Sequence, residues 1–270
     1  MEVVFYNGRF ISSTDVSISI NSRAFNYGDG FFETIKIINT KPFNFKSHLN
    51  RISRALTILK LQNCILSSLQ EKIHHLIREN NIINGMVKVH ISRSGSGKYL
   101  PVSDDLDVFM RVIKSVAYQK NTAISVCFYD DEFKTLGALS NIKSINSLVS
   151  VLSSIYAREN NYDNALLLNI NSNVVEASNA NIYIVKNQDI YTPPLLDGCV
   201  DGTMRKWMFD QLDVIEKSIS KDELLNSDEV FLTNASDGFI SVINIDGESF
   251  SSSKNADFFQ QRLINLSSDS

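Results

Sequence analysis

A clear helical pattern lies in the first third of the chain. Apolar side chains recur at helical spacing in residues 45 to 61, which predicts a helix with one apolar face made of Leu49, Ile52, Leu56 and Leu59. His48 and Arg51 stand three residues apart on another face, so both can reach the same object. A second helix is predicted at about 66 to 80, and an alternating strand follows at 86 to 92. Helices and strands therefore share this part of the chain.

Strand patterns occur on both sides of these helices. Residues 1 to 20 alternate between apolar and polar, and Asn7-Gly8 predicts a β-hairpin turn within them. Later strands are predicted at 164 to 169, at 174 to 185, and from Glu229 into a polar loop. A helix marked by Met204, Trp207, Met208 and Ile215 is predicted after Gly202. The serines at 251 to 253 and the polar C-terminus are expected to be frayed.

Composition sets limits on domains and partners. With 270 residues, 43% of them hydrophobic, the chain can bury a sizeable core, and we expect two domains, 1–115 and 120–270. The net charge of -4 and the scattered Lys and Arg argue against a nucleic-acid partner. No stretch has the apolar length of a membrane span, and the N-terminus resembles a strand rather than a signal peptide. A cytoplasmic protein with no membrane partner is therefore expected.

The cysteines and histidines argue against metal and disulfide chemistry. Cys64, Cys127 and Cys199 lie far apart, with no closely spaced pair. The four histidines all fall in the first third, so a zinc site is not expected. The prediction is three buried or inert thiols and no metal.

Lys143 is the strongest candidate for chemistry. Apolar residues recur at helical spacing after it, at Ile145, Leu148, Leu152 and Ile155, so it lies just before or in the first turn of a helix. The positive end of the helix dipole and burial would both lower the pKa of a lysine there, which makes its amine a nucleophile or a base. The alternative is an exposed surface lysine, which is the commoner situation.

A carboxylate and an arginine add to this candidate. Glu176 stands among small residues in a predicted strand, where it needs a cation or a proton donor, such as a pyridinium nitrogen. The alternative is a structural salt bridge. Arg51 could hold a phosphate through paired hydrogen bonds, although a solvated helix face is the more common outcome.

Several loops could hold anions. Gly202 and Thr203 open a predicted helix whose amides make an anion site, unless Asp201 simply caps that helix. The loop after the strand that begins at Glu229 is a second candidate. The loop from Arg93 to Pro101 could grip a carboxylate through Arg93 or Lys98, or could be an exposed hairpin. Taken together, these parts suit pyridoxal 5'-phosphate held on a lysine.

The chain resembles the fold-type IV pyridoxal-phosphate enzymes from about residue 5 to about residue 245. The resemblance rests on six blocks in the family's order: Phe25 to Thr34, His48 to Arg51, Ile142 to Asn146, Val175 to Ile182, Gly198 to Arg205 and Phe231 to Ala235. It implies an α/β (α+β) fold with a smaller N-terminal α/β domain and a larger C-terminal domain with a barrel-like sheet. It also implies a homodimer in which a loop of the small domain helps to form the neighbouring site.

The resemblance assigns roles to particular residues. It implies that Lys143 is the Schiff-base lysine and that Glu176 is the partner of the pyridine nitrogen. The residues implied to hold the phosphate are Arg51, Thr203, Met204, Asn234 and Ala235. Tyr27, Arg93 and Lys98 are expected to contact the substrate.

Finer marks within the family favour aminodeoxychorismate lyase. Aminotransferases of this group commonly carry threonine where this chain has Met204, and tyrosine where it has Leu148. The implied reaction releases pyruvate and 4-aminobenzoate, a step of folate synthesis, with Lys143 as general base. The lyases have Arg-Gly-Tyr after the glycine loop, whereas this chain has Lys98-Tyr-Leu-Pro. The alternatives are an aminotransferase for branched-chain or D-amino acids and a catalytically silent homologue that binds the cofactor.

Overall fold

The computed structural model describes residues 2–62 and 65–268, so Cys64, one of the three predicted inert thiols, lies outside the described residues. The chain forms two compact units. The N-terminal unit contains the residues up to Ala117 together with Ile142–Asn146, and the C-terminal unit contains Tyr118–Asn141 and the residues from Ser147 onward. The segment around Lys143 thus belongs to the N-terminal unit although its neighbours in sequence belong to the other.

The N-terminal unit is an antiparallel sheet with two helices packed against it. The sheet has six strands in the order β2-β1-β6-β5-β3-β4. The elements are β1 (Val3–Tyr6), β2 (Arg9–Ser12), α1 (Arg23–Tyr27), β3 (Gly30–Ile38), β4 (Lys41–Pro42), α2 (Phe45–Ile58), α3 (Leu66–Glu79), β5 (Gly85–Arg93) and β6 (Leu106–Lys114). The predicted helices and the strand at 86 to 92 are confirmed, within a few residues at their ends.

The hairpin at the N-terminus forms as predicted. Tyr6 and Arg9 are opposite each other in the register of β1 and β2. Asn7 and Gly8 between them both have positive φ, 43° and 89°. Such a pair of left-handed residues makes the two-residue turn whose twist matches that of the flanking strands.

The core of the N-terminal unit lies between the sheet and the two helices. Alternate residues of β3, β5 and β6 face α2 and α3, as the twofold period of a strand requires. Ile52 and Leu56, both on the predicted apolar face of α2, are fully buried there. Glu33 also faces this core and is 0% exposed. A carboxylate in that position needs partners, and these are described below.

The C-terminal unit is built on a mixed ten-stranded sheet that curls into a half-barrel. The strand order is β12-β11-β10-β14-β15-β7-β8-β9-β13, with β16 paired to β15. The elements are β7 (Ile124–Lys134), α4 (Leu148–Glu159), β8 (Asn164–Asn169), β9 (Asn173–Ala177), β10 (Asn181–Lys186), β11 (Asp189–Thr192), α5 (Thr203–Gln211), β12 (Val214–Glu216), β13 (Ile219–Ser220), α6 (Lys221–Leu225), β14 (Glu229–Asn234), β15 (Gly238–Ile245), β16 (Glu248–Ser249) and α7 (Lys254–Ser268).

Three sequence predictions for this unit are wrong. The strand predicted at 174 to 185 is two strands, because the chain turns back between Ala177 and Ala180. Ile215 lies in β12 rather than in the helix with Met204, since α5 ends at Gln211. The C-terminus is not a frayed tail up to residue 268 but a helix, α7, which buries Phe259 and Leu263.

The apolar face predicted for the helix after Lys143 points outward. Leu148 is 68% exposed, and Leu152 and Ile155 are exposed as well. The residues that α4 buries are Ser153 and Ala157. The spacing therefore predicted a helix correctly but not the side that faces the core of its own chain.

A buried carboxylate joins α7 to the sheet. Glu229, at the start of β14, is 1% exposed. Its oxygens accept hydrogen bonds from the backbone amides of Asn255 and Ala256 at 2.9 Å and from the Asn255 side chain at 2.8 Å. These amides open the helix, where a negative charge is favourable. Glu229 thus caps α7 from outside the helix.

The described residues contain neither a membrane-spanning helix nor a cluster of metal-ligating side chains. None of their helices is both long and apolar enough to cross a membrane. They contain no group of three or more His, Cys, Asp or Glu side chains arranged to hold a metal ion. Cys127 and Cys199 are buried, and burial raises the pKa of their thiols to about 11 and about 12.

Candidate active site

Lys143 lies at the edge of the sheet in the N-terminal unit. Its carbonyl accepts a hydrogen bond from the amide of Phe32 at 2.9 Å, and the amide of Ile145 donates to the carbonyl of Gly30 at 3.1 Å. Ser144 makes an antiparallel bridge with Phe31 between these bonds. Residues 143 to 145 therefore extend the sheet beside the start of β3, which fixes the backbone that carries the lysine.

Of the two predicted positions of Lys143, just before a helix or in its first turn, the structure has it before the helix. Helix α4 begins only at Leu148, so Lys143 is not in its first turn, and the helix-dipole argument for its amine does not apply. The lysine is instead half-buried, with Nζ 4.8 Å from the centroid of the Phe32 ring. An ammonium over an aromatic face is attracted by the ring's quadrupole.

Glu33, His48 and Arg51 form a buried network next to this segment. Nε and Nη2 of Arg51 donate to the two oxygens of Glu33 at 2.7 and 2.6 Å, and Nδ1 of His48 is 2.7 Å from Glu33 Oε2. The sequence predicted that His48 and Arg51 reach one object, and that object is the Glu33 carboxylate. Paired bonds of this kind fix the orientation of a guanidinium as well as its charge.

The charges within this network determine its pKa values. Burial alone would raise the pKa of Glu33, but the charge and hydrogen bonds of Arg51, with the bond to His48, lower it to about 2. Burial lowers the pKa of His48, and the charges of Arg51 and Lys143 act in the same direction, while Glu33 opposes them. Glu33 is therefore ionised and His48 neutral near pH 7, with Nδ1–H donating to the carboxylate.

Arg93 is surrounded by other groups of its own unit. Its guanidinium donates to Asp29 at 3.1 Å, to Asp104 at 2.5 Å and to the carbonyl of Leu59 at 2.5 Å. Arg23 also bonds Asp29, at 2.8 Å. The aspartate between the two glycines of the N-terminal motif is thus a bridge between two arginines. The substrate role of Arg93 stays a prediction, and the guanidinium contacts given above all lie within its own unit.

The other two predicted substrate residues lie at the surface of the N-terminal unit. Lys98 is exposed in the loop after β5, and the Tyr27 ring lies 5.8 Å from that of Tyr99 in the same loop. The carbonyl of Lys98 accepts from Nη1 of Arg23 at 2.6 Å, so the loop backbone is held. Its side chains are therefore presented from a fixed main chain.

Glu176, in β9 of the C-terminal unit, is held at both oxygens. Its Oε1 is 2.7 Å from Nζ of Lys134, and its Oε2 accepts from the amide of Val200 at 2.8 Å. The carboxylate is 6% exposed. The salt bridge considered as an alternative is therefore present, and its partner, Lys134, was missed by sequence reasoning. Lys134 is the last residue of β7 and follows the exposed residues Asp130 to Glu132. Its place in the sequence therefore gave no signal of that role.

The start of α5 is arranged for close backbone approach. Its N-cap residue is Gly202, not Asp201, and a glycine has no side chain with which to cap the helix. A Cβ on Gly202 would lie 2.0 Å from Oδ1 of Asn181, which excludes any larger residue. Thr203 and Met204 follow in the first turn and are buried. The backbone amides in the first turn of a helix suit an anion.

Asn181 connects this helix start to the end of β14. Its side-chain amide donates to the carbonyl and the hydroxyl of Thr233, each at 2.9 Å. Asn234 shapes the turn that follows, because its Oδ1 accepts from the amides of Ser236 and Asp237 at 2.9 and 2.8 Å. Tyr118 holds the carbonyl of Ala235 at 2.9 Å. Hydrogen bonds therefore fix the backbone at Asn234 and Ala235, two of the residues predicted to bind the phosphate.

Comparisons with known proteins agree on one family. Residues 30–245 match the family described as Amino-transferase class IV. A D-alanine aminotransferase of Staphylococcus epidermidis is 28% identical over 258 residues, which cover 92% of this chain and 90% of that protein.

Two solved structures share the fold. A branched-chain aminotransferase of Thermoproteus uzoniensis matches with a TM-score of 0.89 at 23% identity and covers 98% of this chain and 94% of its own. A putative 4-amino-4-deoxychorismate lyase of Legionella pneumophila matches with a TM-score of 0.86 at 24% identity. The match covers 94% of this chain and 97% of that one. The predicted α/β (α+β) fold of type IV, with a barrel-like sheet in its C-terminal part, is confirmed by these structures.

Proposed function

Because the chain belongs to the class IV aminotransferase family, and so is a pyridoxal 5'-phosphate-dependent enzyme of fold type IV, we propose that it is a 4-amino-4-deoxychorismate lyase. The family match covers most of the chain and includes Lys143, Glu176 and the start of α5. The choice of the lyase within that family is the step that the experiment below tests.

The residues present fit this cofactor. Lys143 supplies a primary amine on fixed backbone, and Glu176 supplies a buried carboxylate for the ring nitrogen. The start of α5 offers backbone amides at Gly202, where the space for a Cβ is already filled. An amine, a carboxylate and the amides of a helix start are the donor and acceptor types that a phosphorylated pyridine aldehyde needs.

Each residue then has a definite task. The bound cofactor supplies an aldehyde for the substrate amine and a ring that withdraws electrons. Nζ of Lys143 takes the proton from the substrate ring as general base, and pyruvate leaves as that ring becomes aromatic. Glu176 keeps the pyridine nitrogen protonated. Arg51, the first amides of α5 and the turn at Asn234 and Ala235 would hold the phosphate of the bound cofactor.

One observation supports the lyase over a transferase. Met204, in the first turn of α5, is 1% exposed, and it places an apolar side chain where the aminotransferases resembled by this sequence commonly carry threonine. Leu148 likewise replaces their tyrosine. Both changes remove a hydroxyl, so this chain lacks two hydrogen-bonding groups at positions where those enzymes commonly carry them.

The D-alanine aminotransferases favour a second candidate. The similarity to the one from Staphylococcus epidermidis extends over 92% of this chain and 90% of that protein. A transferase would use Lys143 in the same way but would leave the amine of the first substrate on the cofactor. Transfer from D-alanine to a keto acid is therefore the alternative that needs to be excluded.

Two assays on the holoenzyme separate these candidates. With aminodeoxychorismate as the only substrate, the lyase is expected to release pyruvate and 4-aminobenzoate in equal amounts. With D-alanine alone, the absorbance of the bound cofactor should remain that of the pyridoxal form. Conversion to pyridoxamine phosphate with D-alanine, and no pyruvate from aminodeoxychorismate, would establish the transferase and overturn the lyase proposal.

The proposal includes the homodimer and the cytoplasmic location expected from the sequence. Exposed apolar side chains on α4, with Leu148 at 68%, support association with a second copy. Sedimentation of the holoenzyme at one chain's mass, 30.4 kDa, at micromolar concentration would contradict the dimer.

The Lys134–Glu176 pair leads to a prediction about cofactor affinity. Replacing Lys134 by methionine removes one of the two groups that hold the Glu176 carboxylate, so we expect the dissociation constant of pyridoxal phosphate to rise about tenfold, as for other residues that orient a ligating group. Lys134→Arg keeps the charge and a donor and should restore affinity to within about threefold.

A double-mutant cycle shows whether Lys134 acts through Glu176. In a Glu176→Gln background, Lys134→Met should have little further effect on cofactor affinity. Lys221→Met is the matched control. Lys221 lies in α6 and pairs at 2.7 Å with Asp130, an exposed residue of β7, the strand that also carries Lys134. Additive losses in the cycle, or an equal loss from Lys221→Met, would show that Lys134 has no specific role.

A further inference from the structure

Arg205 is a buried cation in the first turn of α5. The residue is 6% exposed, and it follows Thr203 and Met204, whose amides the proposed function assigns to the cofactor phosphate. Lys206 comes next, so the first turn carries two cations and no acidic residue. The positive end of the helix dipole lies there, and it favours anions over cations. The charges of this turn are therefore the reverse of those that stabilise a helix start.

The two cations have different surroundings. The Lys206 side chain is 52% exposed and pairs with Asp210, one turn further along the helix, so water and this partner screen its charge. The Arg205 side chain points into the unit, where Nη2 pairs with Glu216 and donates to the carbonyl of Pro193 at 3.1 Å. Because its surroundings are buried, the charge of Arg205 is screened much less than that of Lys206.

The guanidinium of Arg205 joins α5 to two segments of the sheet. Pro193 directly follows β11, Glu216 ends β12, and these two strands are parallel neighbours. Cζ of Arg205 also lies 4.7 Å from the ring centroid of Phe209, one turn further along α5. A planar guanidinium that is bonded at one end and stacked on a ring has a fixed orientation. Arg205 thereby fixes the first turn of α5 against the edge of the sheet.

Contacts within the unit only partly compensate this buried charge. Nε of Arg205 is buried and has no hydrogen-bond partner among the described residues, which costs free energy. The Glu216 side chain is 47% exposed, so water weakens its attraction for the guanidinium. The charge also acts on Tyr183 of β10, where burial raises the pKa of the hydroxyl and Arg205 opposes that rise. An anion at the helix start would therefore relieve an existing cost.

We propose that Arg205 is a positioning residue for the cofactor phosphate and acts on it through the first turn of α5. The guanidinium fixes the amides of Thr203 and Met204 and adds a positive field behind them. An anion held by these amides offsets the buried charge, so the helix start and the anion stabilise each other. This inference rests on the proposed phosphate site at α5 and not on which reaction the enzyme catalyses.

Two ligands isolate the phosphate from the rest of the cofactor. Pyridoxal has the ring and the aldehyde but a hydroxyl in place of the phosphate, and inorganic phosphate has the phosphate alone. With apoprotein prepared from the holoenzyme, Arg205→Met should raise the dissociation constant of pyridoxal phosphate about tenfold, as for other residues that orient a ligating group. The inhibition constant of inorganic phosphate against pyridoxal phosphate should rise similarly, and the dissociation constant of pyridoxal should stay within about twofold.

Two further variants separate positioning from net charge and from folding. Lys206→Met removes a positive charge from the next residue of the same turn, on its exposed side, and should change neither cofactor form by more than about twofold. Arg205→Lys keeps the charge but replaces the planar fork by a single ammonium, so pyridoxal phosphate should bind about threefold more weakly than to the intact protein. A variant that has lost its fold binds neither form, so a loss confined to the phosphorylated ligands does not come from misfolding.

The outcomes distinguish this inference from the proposed function. Equal losses of pyridoxal and pyridoxal phosphate in Arg205→Met, unchanged binding of pyridoxal phosphate in that variant, or an equal loss in Lys206→Met would overturn the role of Arg205, even if pyruvate is released from aminodeoxychorismate. A loss confined to the phosphorylated ligands, in an enzyme that releases no pyruvate, would support the role of Arg205 and overturn the lyase.

Discussion

Lys143→Ala is expected to lower turnover by at least about a thousandfold, because it removes both the amine that holds the cofactor and the general base. The fold should survive this change. The sheet-edge hydrogen bonds of residues 143 to 145 use main-chain atoms, among them the Lys143 carbonyl and the Phe32 amide. Circular dichroism and a thermal melt of the variant should therefore resemble those of the intact protein, while steady-state assays show the loss.

Borohydride reduction identifies the residue concerned. Treatment of the intact holoenzyme should leave the cofactor covalently on Lys143, as peptide mass spectrometry can show. Lys143→Arg keeps the positive charge but not the amine nucleophile, so it should remain unlabelled and inactive. Lys206→Ala, at an exposed lysine of α5, should behave like the intact protein. A label on any other lysine would remove the basis of the proposed mechanism.

Glu33→Ala is expected to lower the free energy of unfolding by about 3–5 kcal/mol, because it leaves the Arg51 guanidinium buried without its counter-ion. That is a large part of the stability of an ordinary domain. If Arg51 holds the phosphate as proposed, cofactor affinity should fall as well, since Glu33 fixes its orientation. Urea denaturation of the apoprotein measures the first effect, and equilibrium dialysis with pyridoxal phosphate measures the second.

The same network makes stability depend on pH. The pKa of Glu33 falls from 4.5 to about 2 on folding, so the unfolded chain takes up this proton first as the pH is lowered. The stabilisation, about 3 kcal/mol, is present above pH 4.5 and is lost as the pH falls toward 2. The pKa of His48 is also lowered from 6.5, so protonation of this group likewise favours the unfolded chain. Its part of the loss of stability begins as the pH falls below 6.5.

A comparison of variants tests this assignment. The difference in unfolding free energy between the intact protein and Glu33→Gln should narrow as the pH falls from 5 to 2 if the Glu33 proton is responsible. Glu71→Ala, at an exposed carboxylate on α3, should change stability by less than about 0.5 kcal/mol. A difference that does not vary with pH would assign the acid sensitivity to other groups.

Local patterns in the sequence predicted local structure well. The spacing of Ile52 and Leu56 predicted α2, and Asn7-Gly8 predicted the first hairpin, because helix and turn geometry depend on residues a few positions apart. The break between β9 and β10 was missed because Ser178 and Asn179 turn the chain without glycine or proline. Helix α7 was missed because its polar residues obscured the buried pair Phe259 and Leu263.

Contacts between distant segments were only partly predictable. The spacing of His48 and Arg51 showed that they share a target, but the target lies 15 and 18 residues away on another element. A signal for Glu33 existed, since strand alternation places it on the same face as the buried Phe31 and Ile35, where a carboxylate needs a cation. Nothing in the sequence near Lys143 predicted that its segment would join the sheet beside β3, because that pairing spans more than a hundred residues.

The capping of α7 by Glu229 has a consequence for the order in which the C-terminal unit folds during synthesis. A ribosome delivers β14 before the amides of Asn255 and Ala256 that satisfy its carboxylate. Until those amides emerge, the Glu229 carboxylate lacks the donors that hold it in the folded unit, so its burial would cost free energy. Completion of the C-terminal unit is therefore a late event in biosynthesis, and a nascent chain cut short before residue 254 would expose its unfinished sheet to chaperones and proteases.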